Sequence, residues 1–259
     1  MDKARSEDGT AIAFDRVGEG PPIILVVGAF NDRATGAPLA AALQDCFRVV
    51  TYDRRGNSGD TPPYAVEREV EDLEAIIEEV GGSASVFGYS SGAVLSLIAA
   101  ARGLAITRLA FYDLPLSAAG ARIERPEDLA ARLAGLVEAD RRGDAVALFQ
   151  AEGVGLPAEV VAQLRQAPFW PALEAMAHTL VYETEIVGDG SLPVELAASV
   201  AIPTLAIAGG ERCPFMRETP LALAAVMPGA RARILEGQSH DIVPHALAPV
   251  LEEFFSEAR

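Results

Sequence analysis

The sequence predicts an α/β fold: a mostly parallel sheet flanked by helices and interrupted by one all-helical insertion. Three features predict it. Short apolar runs rich in β-branched residues alternate with stretches of helical periodicity. The runs are continuously apolar, as strands covered on both faces require. The alternation stops after residue 113, gives way to helix after helix, and resumes near residue 200. Strand–helix alternation implies parallel strands joined by crossover helices.

The first run, residues 23–27, follows Gly20-Pro21-Pro22, and the second, 48–52, ends in Asp53-Arg54-Arg55-Gly56. Val66, Val70, Leu73, Ile76, Ile77 and Val80 then recur at helical spacing, with Glu67, Glu69, Glu71, Asp72, Glu74 and Glu78 largely on the opposite face. Strands are expected at 85–88 and 106–112, separated by an apolar helix over 93–101. Beyond them, Leu129, Leu133, Leu136 and Val137 form one helical stripe after Pro126. Val160, Val161 and Leu164 form another after Pro157, and Leu173, Met176 and Leu180 a third after Pro171. Proline suits the first turn of a helix, where its missing N–H is no loss. Strands return at 204–208 and 233–235, and Leu247, Val250, Leu251, Phe254 and Phe255 mark a last amphipathic helix. The expected organisation is a core domain of residues 1–113 and 200–259, with 114–199 inserted as a helical cap. Internal repeats and low-complexity tracts are absent from the sequence.

At 259 residues the chain is long enough for one large domain burying roughly 75% of its unfolded surface. A composition of 50% hydrophobic and 22% charged residues excludes intrinsic disorder. The net charge of −16, uninterrupted by any Lys/Arg-rich run, repels phosphate backbones and anionic headgroups. Neither nucleic acid nor a membrane is an expected partner, and strongly anionic substrates such as acyl-coenzyme A are disfavoured. Cys46 and Cys213 lie in no C-x-x-C pair and are expected to be reduced and inert. Residues 1–10 lack the apolar stretch of a secretory signal, so a soluble, cytoplasmic protein is expected.

The sharpest chemical signal is Gly88-Tyr89-Ser90-Ser91-Gly92, placed between an expected strand and an expected helix. A G-x-S-x-G string in that context is a nucleophile elbow. The chain reverses so tightly that the serine is held in a strained conformation, and side chains at the glycine positions would collide. Ser90 then presents its hydroxyl at the C-terminal edge of the sheet, where the amide of Ser91 can face a developing oxyanion. A serine hydroxyl needs an adjacent base. The chain has three histidines. His240 follows the last strand in a short loop, whereas His178 in the insertion and His245 on the final helix read as packing or surface residues.

With these residues the chain, from residue 10 to its C-terminus, resembles the α/β-hydrolase superfamily. Val26-Val27-Gly28-Ala29-Phe30 stands where that family carries its oxyanion loop, with Val27 in place of the usual histidine. Asp53-Arg54-Arg55-Gly56-Asn57-Ser58-Gly59 looks like the family's D-x-R-G-x-S turn. Gly237-Gln238-Ser239-His240-Asp241 lies where the family places its catalytic histidine. The resemblance implies Ser90 as nucleophile, His240 as base, and the amides of Ala29 and Ser91 as the oxyanion hole. The triad acid has two candidates. Many family members carry it after the strand that is 204–208 here, where Glu211 is close to the family position but short of it. Others carry it directly after the strand following the elbow, and Phe111-Tyr112-Asp113-Leu114-Pro115 looks like that arrangement. It is similar also to the zearalenone lactonases, which pair a G-x-S-S-G-A elbow with an acidic residue two before a proline. Asp113 is the expected acid and Glu211 the alternative.

The implied activity is a serine hydrolase that cleaves a carboxylic ester or lactone of a small to medium, largely apolar substrate. The same triad could serve C–C bond hydrolysis, thioester hydrolysis or perhydrolysis, and the fold also hosts ligand-binding, receptor-like proteins. Neither a metal nor an organic cofactor is expected: no His/Cys/carboxylate set has metal spacing, and no G-x-G-x-x-G follows the first strand. Phe30, Tyr89 and Trp170, the single tryptophan, are the expected substrate-contacting aromatics; Phe169 stands beside Trp170 between Pro168 and Pro171, with Phe149 and Tyr182 further off.

Overall fold

A computed structural model of the chain describes residues 1–57, 64–117, 125–212 and 214–257. Ser58 and Gly59 of the D-x-R-G-x-S turn, and Cys213, lie outside the described residues; Cys46 is a free, exposed thiol.

Eight strands form one sheet. They are β1 (Asp2–Arg5), β2 (Ala11–Val17), β3 (Pro22–Val26), β4 (Arg48–Tyr52), β5 (Ala84–Tyr89), β6 (Ile106–Tyr112), β7 (Thr204–Gly209) and β8 (Ala230–Leu235), in the spatial order β1-β2-β4-β3-β5-β6-β7-β8. The pairs from β4 through β8 are parallel, while β1–β2 and β2–β4 are antiparallel. The continuous apolar runs are the central parallel strands. Alternate residues along them feed two separate cores, as the two-residue side-chain period requires. Ile24, Val26, Val86, Leu109 and Phe111 face one, and Ile23, Leu25, Phe87, Ala110 and Tyr112 the other.

On the first face lie α2 (Val66–Glu79) and α3 (Ser91–Ala101), buried through Leu73, Ile76, Leu95 and Leu97. On the second lie α1 (Arg33–Leu43) and, at the chain's end, the amphipathic helix Pro244–Phe255, with Leu39, Leu43, Leu251 and Phe254 inward. The N-terminal hairpin and α1 carry weak sequence signals. In Asp-Lys-Ala-Arg of β1 only Ala4 is buried, the charged pattern of an edge strand. Gly36 and Pro38 interrupt α1, which Asp32 and Thr35 nonetheless start with a reciprocal capping box. The last strand begins at Ala230, earlier than the expected 233, because its outer residues alternate in exposure as an edge strand's do.

Between β6 and β7 run α4 (Leu129–Glu138), α5 (Arg142–Leu148), a π turn (Phe149–Gly153), α6 (Ala158–Leu164), α7 (Trp170–Ala175), α8 (Thr179–Val187) and α9 (Val194–Ser199). Their packing divides in two. Leu129, Leu133, Val146, Phe149, Trp170 and Leu180 make a core of their own, against which Ala29 and Phe30 rest. Ile186, Leu192 and Ala197 instead join the core of the sheet beside α3. The insertion is thus anchored to the sheet through its C-terminal part. Among the described residues no helix is long and apolar enough to cross a membrane.

Candidate active site

Ser90 sits between β5 and α3 with φ 55° and ψ −128°. A non-glycine residue in that conformation is strained, and the surroundings hold it there. Its N–H donates to Tyr112 O at 3.0 Å, and its carbonyl accepts from Ala93 N–H at 2.9 Å. Any side chain on Gly92 would strike the carbonyl of Val26, and one on Gly88 would come within 2.5 Å of Ala93 Cα. Both glycines of the motif are therefore sterically required.

Asp113 follows the last residue of β6, with φ 51° and its carboxyl fully buried. Oδ1 accepts the N–H of Gly209 at 2.9 Å, and Oδ2 lies 2.8 Å from His240 Nδ1. A carboxylate at Nδ1 holds the proton there and leaves Nε2 free as a base. The loop bearing His240 is fixed by Tyr112, whose hydroxyl donates to Ser239 O at 2.5 Å, and by the ring of Tyr89, 4.9 Å from the imidazole. It passes so close to the end of β7 that a Cβ on Gly209 would lie 2.5 Å from two of its carbonyl oxygens. Glu211, by contrast, is exposed on the β7 loop, and its N–H donates to Gln238 O at 3.0 Å. It is Asp113 that the structure brings to His240. Arg212 Nε, 3.3 Å from Asp113 Oδ2, adds a cation to the same carboxylate.

Ser90, Ser91, His240, Ala29, Phe30 and Tyr89 all line one cavity of about 530 Å³. Its walls are completed by apolar residues such as Leu129, Phe149, Val154 and Val187, and by the charged Arg125, Glu183 and Arg212. Among the described residues no hydrogen bond joins Ser90 to His240, and such bonds often tighten only when substrate is bound. Phe30, at φ 60°, meets Phe149 edge-on with ring centroids 5.7 Å apart. Trp170 lies elsewhere. It is buried in the insertion's own core, with its indole N–H on Glu174 Oε1 at 2.9 Å, because an aromatic side chain at the start of α7 faces α5. Phe169 is half exposed, and Tyr182 stacks on Tyr64 at 3.9 Å. His178 bonds Gly56 O at 2.8 Å, tying the insertion to the turn after β4, and His245 is exposed.

The loop after β3 is held from several sides. Asn31 Nδ2 donates to Ala29 O at 2.6 Å, and Asn57 Nδ2 to Asn31 O at 2.9 Å. The N–H of Ala29 donates to the hydroxyl of Ser91 at 3.1 Å. Beneath it, Arg54 binds Glu69 in a fork at 2.8 and 2.9 Å, Glu183 Oε1 at 2.8 Å and the carbonyl of Val27 at 3.1 Å. This buried Glu69–Arg54–Glu183 cluster lies under the position where a histidine is usual. Burial pushes the Glu183 carboxyl above its ordinary range, against the pull of Arg54, and among the described residues its Oε2 has no hydrogen-bond partner. Glu183, Arg125 and Arg212 line the cavity and Arg54 lies beneath it, although the sequence pattern singled out none of them, since what places them there is contacts that only the fold makes. The D-x-R-G-x-S resemblance did contain Arg54, but without a role for it.

The alpha/beta hydrolase family model matches residues 23–253 of the chain. The structure is similar to that of an alpha/beta hydrolase from Sphaerobacter thermophilus, with 53% identity and a TM-score of 0.92, over 98% of this chain and all of that one. It is similar also to the enol-lactonase from Burkholderia xenovorans, with 25% identity and a TM-score of 0.69, over 99% of this chain and 100% of that one. An uncharacterized hydrolase of Bacillus subtilis, YraK, is 37% identical over 95 residues, which are 34% of this chain and 35% of that protein. The chain thus spans about a third of the length of that curated relative.

Proposed function

The chain belongs to the alpha/beta hydrolase family, and from that premise we propose that it is a serine hydrolase cleaving a carboxylic ester or lactone of a small to medium, largely apolar substrate. The observation that carries this reading is the 2.8 Å contact of a buried Asp113 with His240, in a cavity that also exposes the strained Ser90. His240 Nε2 takes the Ser90 proton as the hydroxyl attacks the carbonyl carbon, and Asp113 holds the imidazole tautomer and stabilises its cation. The amides of Ser91 and Ala29 receive the tetrahedral oxyanion, each such donor being worth about 10²- to 10³-fold in rate. His240 then protonates the leaving alcohol, the acyl group remains on Ser90, and water activated by the same imidazole releases the acid.

A cavity of about 530 Å³ is of the size that takes small-molecule ligands. Its largely apolar walls favour an apolar acyl or alcohol part, and the likeness to an enol-lactonase sets lactones beside open-chain esters. The test is a p-nitrophenyl ester chain-length series run beside a lactone panel, with Ser90→Ala as control. Hydrolysis that peaks at a short or medium chain and disappears in the variant is expected. A folded protein that turns over neither esters nor lactones would contradict the proposal.

A further inference from the structure

Arg125 enters the insertion just ahead of α4 and lines the cavity that Ser90 and His240 also line. Its Nε donates to Gly153 O at 2.8 Å and its Nη2 reaches Pro115 O at 3.5 Å. Those partners are neutral carbonyls. Among the described residues, every other arginine that is not exposed has a carboxylate in ion-pair contact: Arg33, Arg48, Arg54, Arg55, Arg68, Arg108, Arg142 and Arg212. Scarcity of acids does not explain the exception, because the chain has 37 acidic residues against 21 basic ones. Glu183, the carboxyl in the same cavity, is bonded to Arg54. Asp189 influences Arg125 only at a distance and accepts the N–H of Ser191 at 2.8 Å. Burial accordingly pulls the Arg125 guanidinium below its ordinary value.

A half-buried guanidinium held only by neutral carbonyls carries a cost to the fold that an anion bound beside it would offset. The planar fork of arginine matches a carboxylate through paired N–H groups. We infer that Arg125 binds a carboxylate carried by the substrate, so that the site takes an ester or lactone with one free acid group. One unpaired guanidinium calls for one negative charge. A dianion such as a phosphate monoester would meet both Glu183 and a protein of net charge −16. The inference rests on the hydrolase reading for the site's chemistry and narrows its substrate.

The test compares mono-p-nitrophenyl adipate, which carries a free carboxylate, with the p-nitrophenyl methyl diester of the same length. The ratio of kcat/KM for the anionic over the neutral ester is expected to be at least 10. It should fall to about 1 in Arg125→Gln, a loss of about 10- to 100-fold, the span of a hydrogen bond to a charged group. The ratio is insensitive to a general loss of active protein. Arg132→Gln, which changes a surface arginine paired with Glu152, should keep it. In a second arm, calorimetry on the Ser90→Ala variant measures binding of monomethyl adipate against dimethyl adipate without any turnover, and Arg125→Gln in that background should erase the preference for the monoester. Turnover without a preference for the anion, or a preference that survives Arg125→Gln, overturns the inference alone. Arg125-dependent binding of the monoester with no ester or lactone hydrolysed by the unmodified protein overturns the hydrolase reading and leaves the anion site standing.

Discussion

Asp113 Oδ2 and His240 Nδ1 lie 2.8 Å apart although 127 positions of chain separate them. The contact exists because β6, β7 and β8 are successive parallel neighbours, so that Asp113 leaving β6 and the His240 loop leaving β8 meet at one edge of the sheet, across the end of β7. Asp113 is committed further by the Gly209 N–H on its other oxygen.

From this arrangement, Asp113→Asn should lower kcat for a p-nitrophenyl ester by roughly 10³-fold or more, since an amide stabilises the wrong imidazole tautomer and cannot offset its positive charge. Glu211→Gln, on an exposed loop, should change it less than threefold by the same reasoning. The opposite ranking in steady-state kinetics would give the acid's role to Glu211.

The Ala29 amide, a proposed oxyanion donor, is occupied by the Ser91 hydroxyl at 3.1 Å. That hydroxyl competes with the oxyanion for one N–H, so Ser91→Ala should retain kcat within about threefold or raise it. A fall of more than about 30-fold in single-turnover acylation would instead make the hydroxyl itself an oxyanion donor.

Acid should weaken the junction between the first hairpin and the turn after β4. The hydrogen bond from Arg55 holds the Asp8 carboxyl well below its ordinary value of 3.8. The same guanidinium binds Asp72 at 2.5 and 3.0 Å. The unfolded chain thus binds the Asp8 proton at higher pH than the folded one. The stabilisation is whole above pH 3.8 and is lost as pH falls through the lower folded value. The Tm difference between the natural protein and Asp8→Asn should therefore be constant from pH 7 to about pH 5 and shrink toward pH 2.5. A difference that grows on acidification would refute the assignment.

The parts of the fold that the sequence displays are those where burial is symmetrical. β3 to β7 are apolar on both faces and stand out as runs. β1 shows one buried residue in four and does not. The site divides in the same way. Ser90, Asp113 and His240 each directly follow or closely adjoin a strand end, so local pattern locates them. Glu183 meets Arg54 from 129 positions away, and Arg125 is distinguished by having no carboxylate partner among the described residues. Properties of that kind belong to the folded arrangement. Trp170 illustrates the reverse. Its flanking prolines and aromatic neighbours suggested a substrate wall, whereas the insertion uses it to hold its own helices together.

Hydrolysis at this site requires an activated hydroxyl at Ser90. Treating the folded protein with a fluorophosphonate and locating the adduct by peptide mass spectrometry measures this directly. Stoichiometric modification of Ser90, slowed at least 100-fold in His240→Asn and absent in Ser90→Ala, is the predicted result. An unmodified Ser90, or labelling at an unchanged rate without the imidazole, would contradict it.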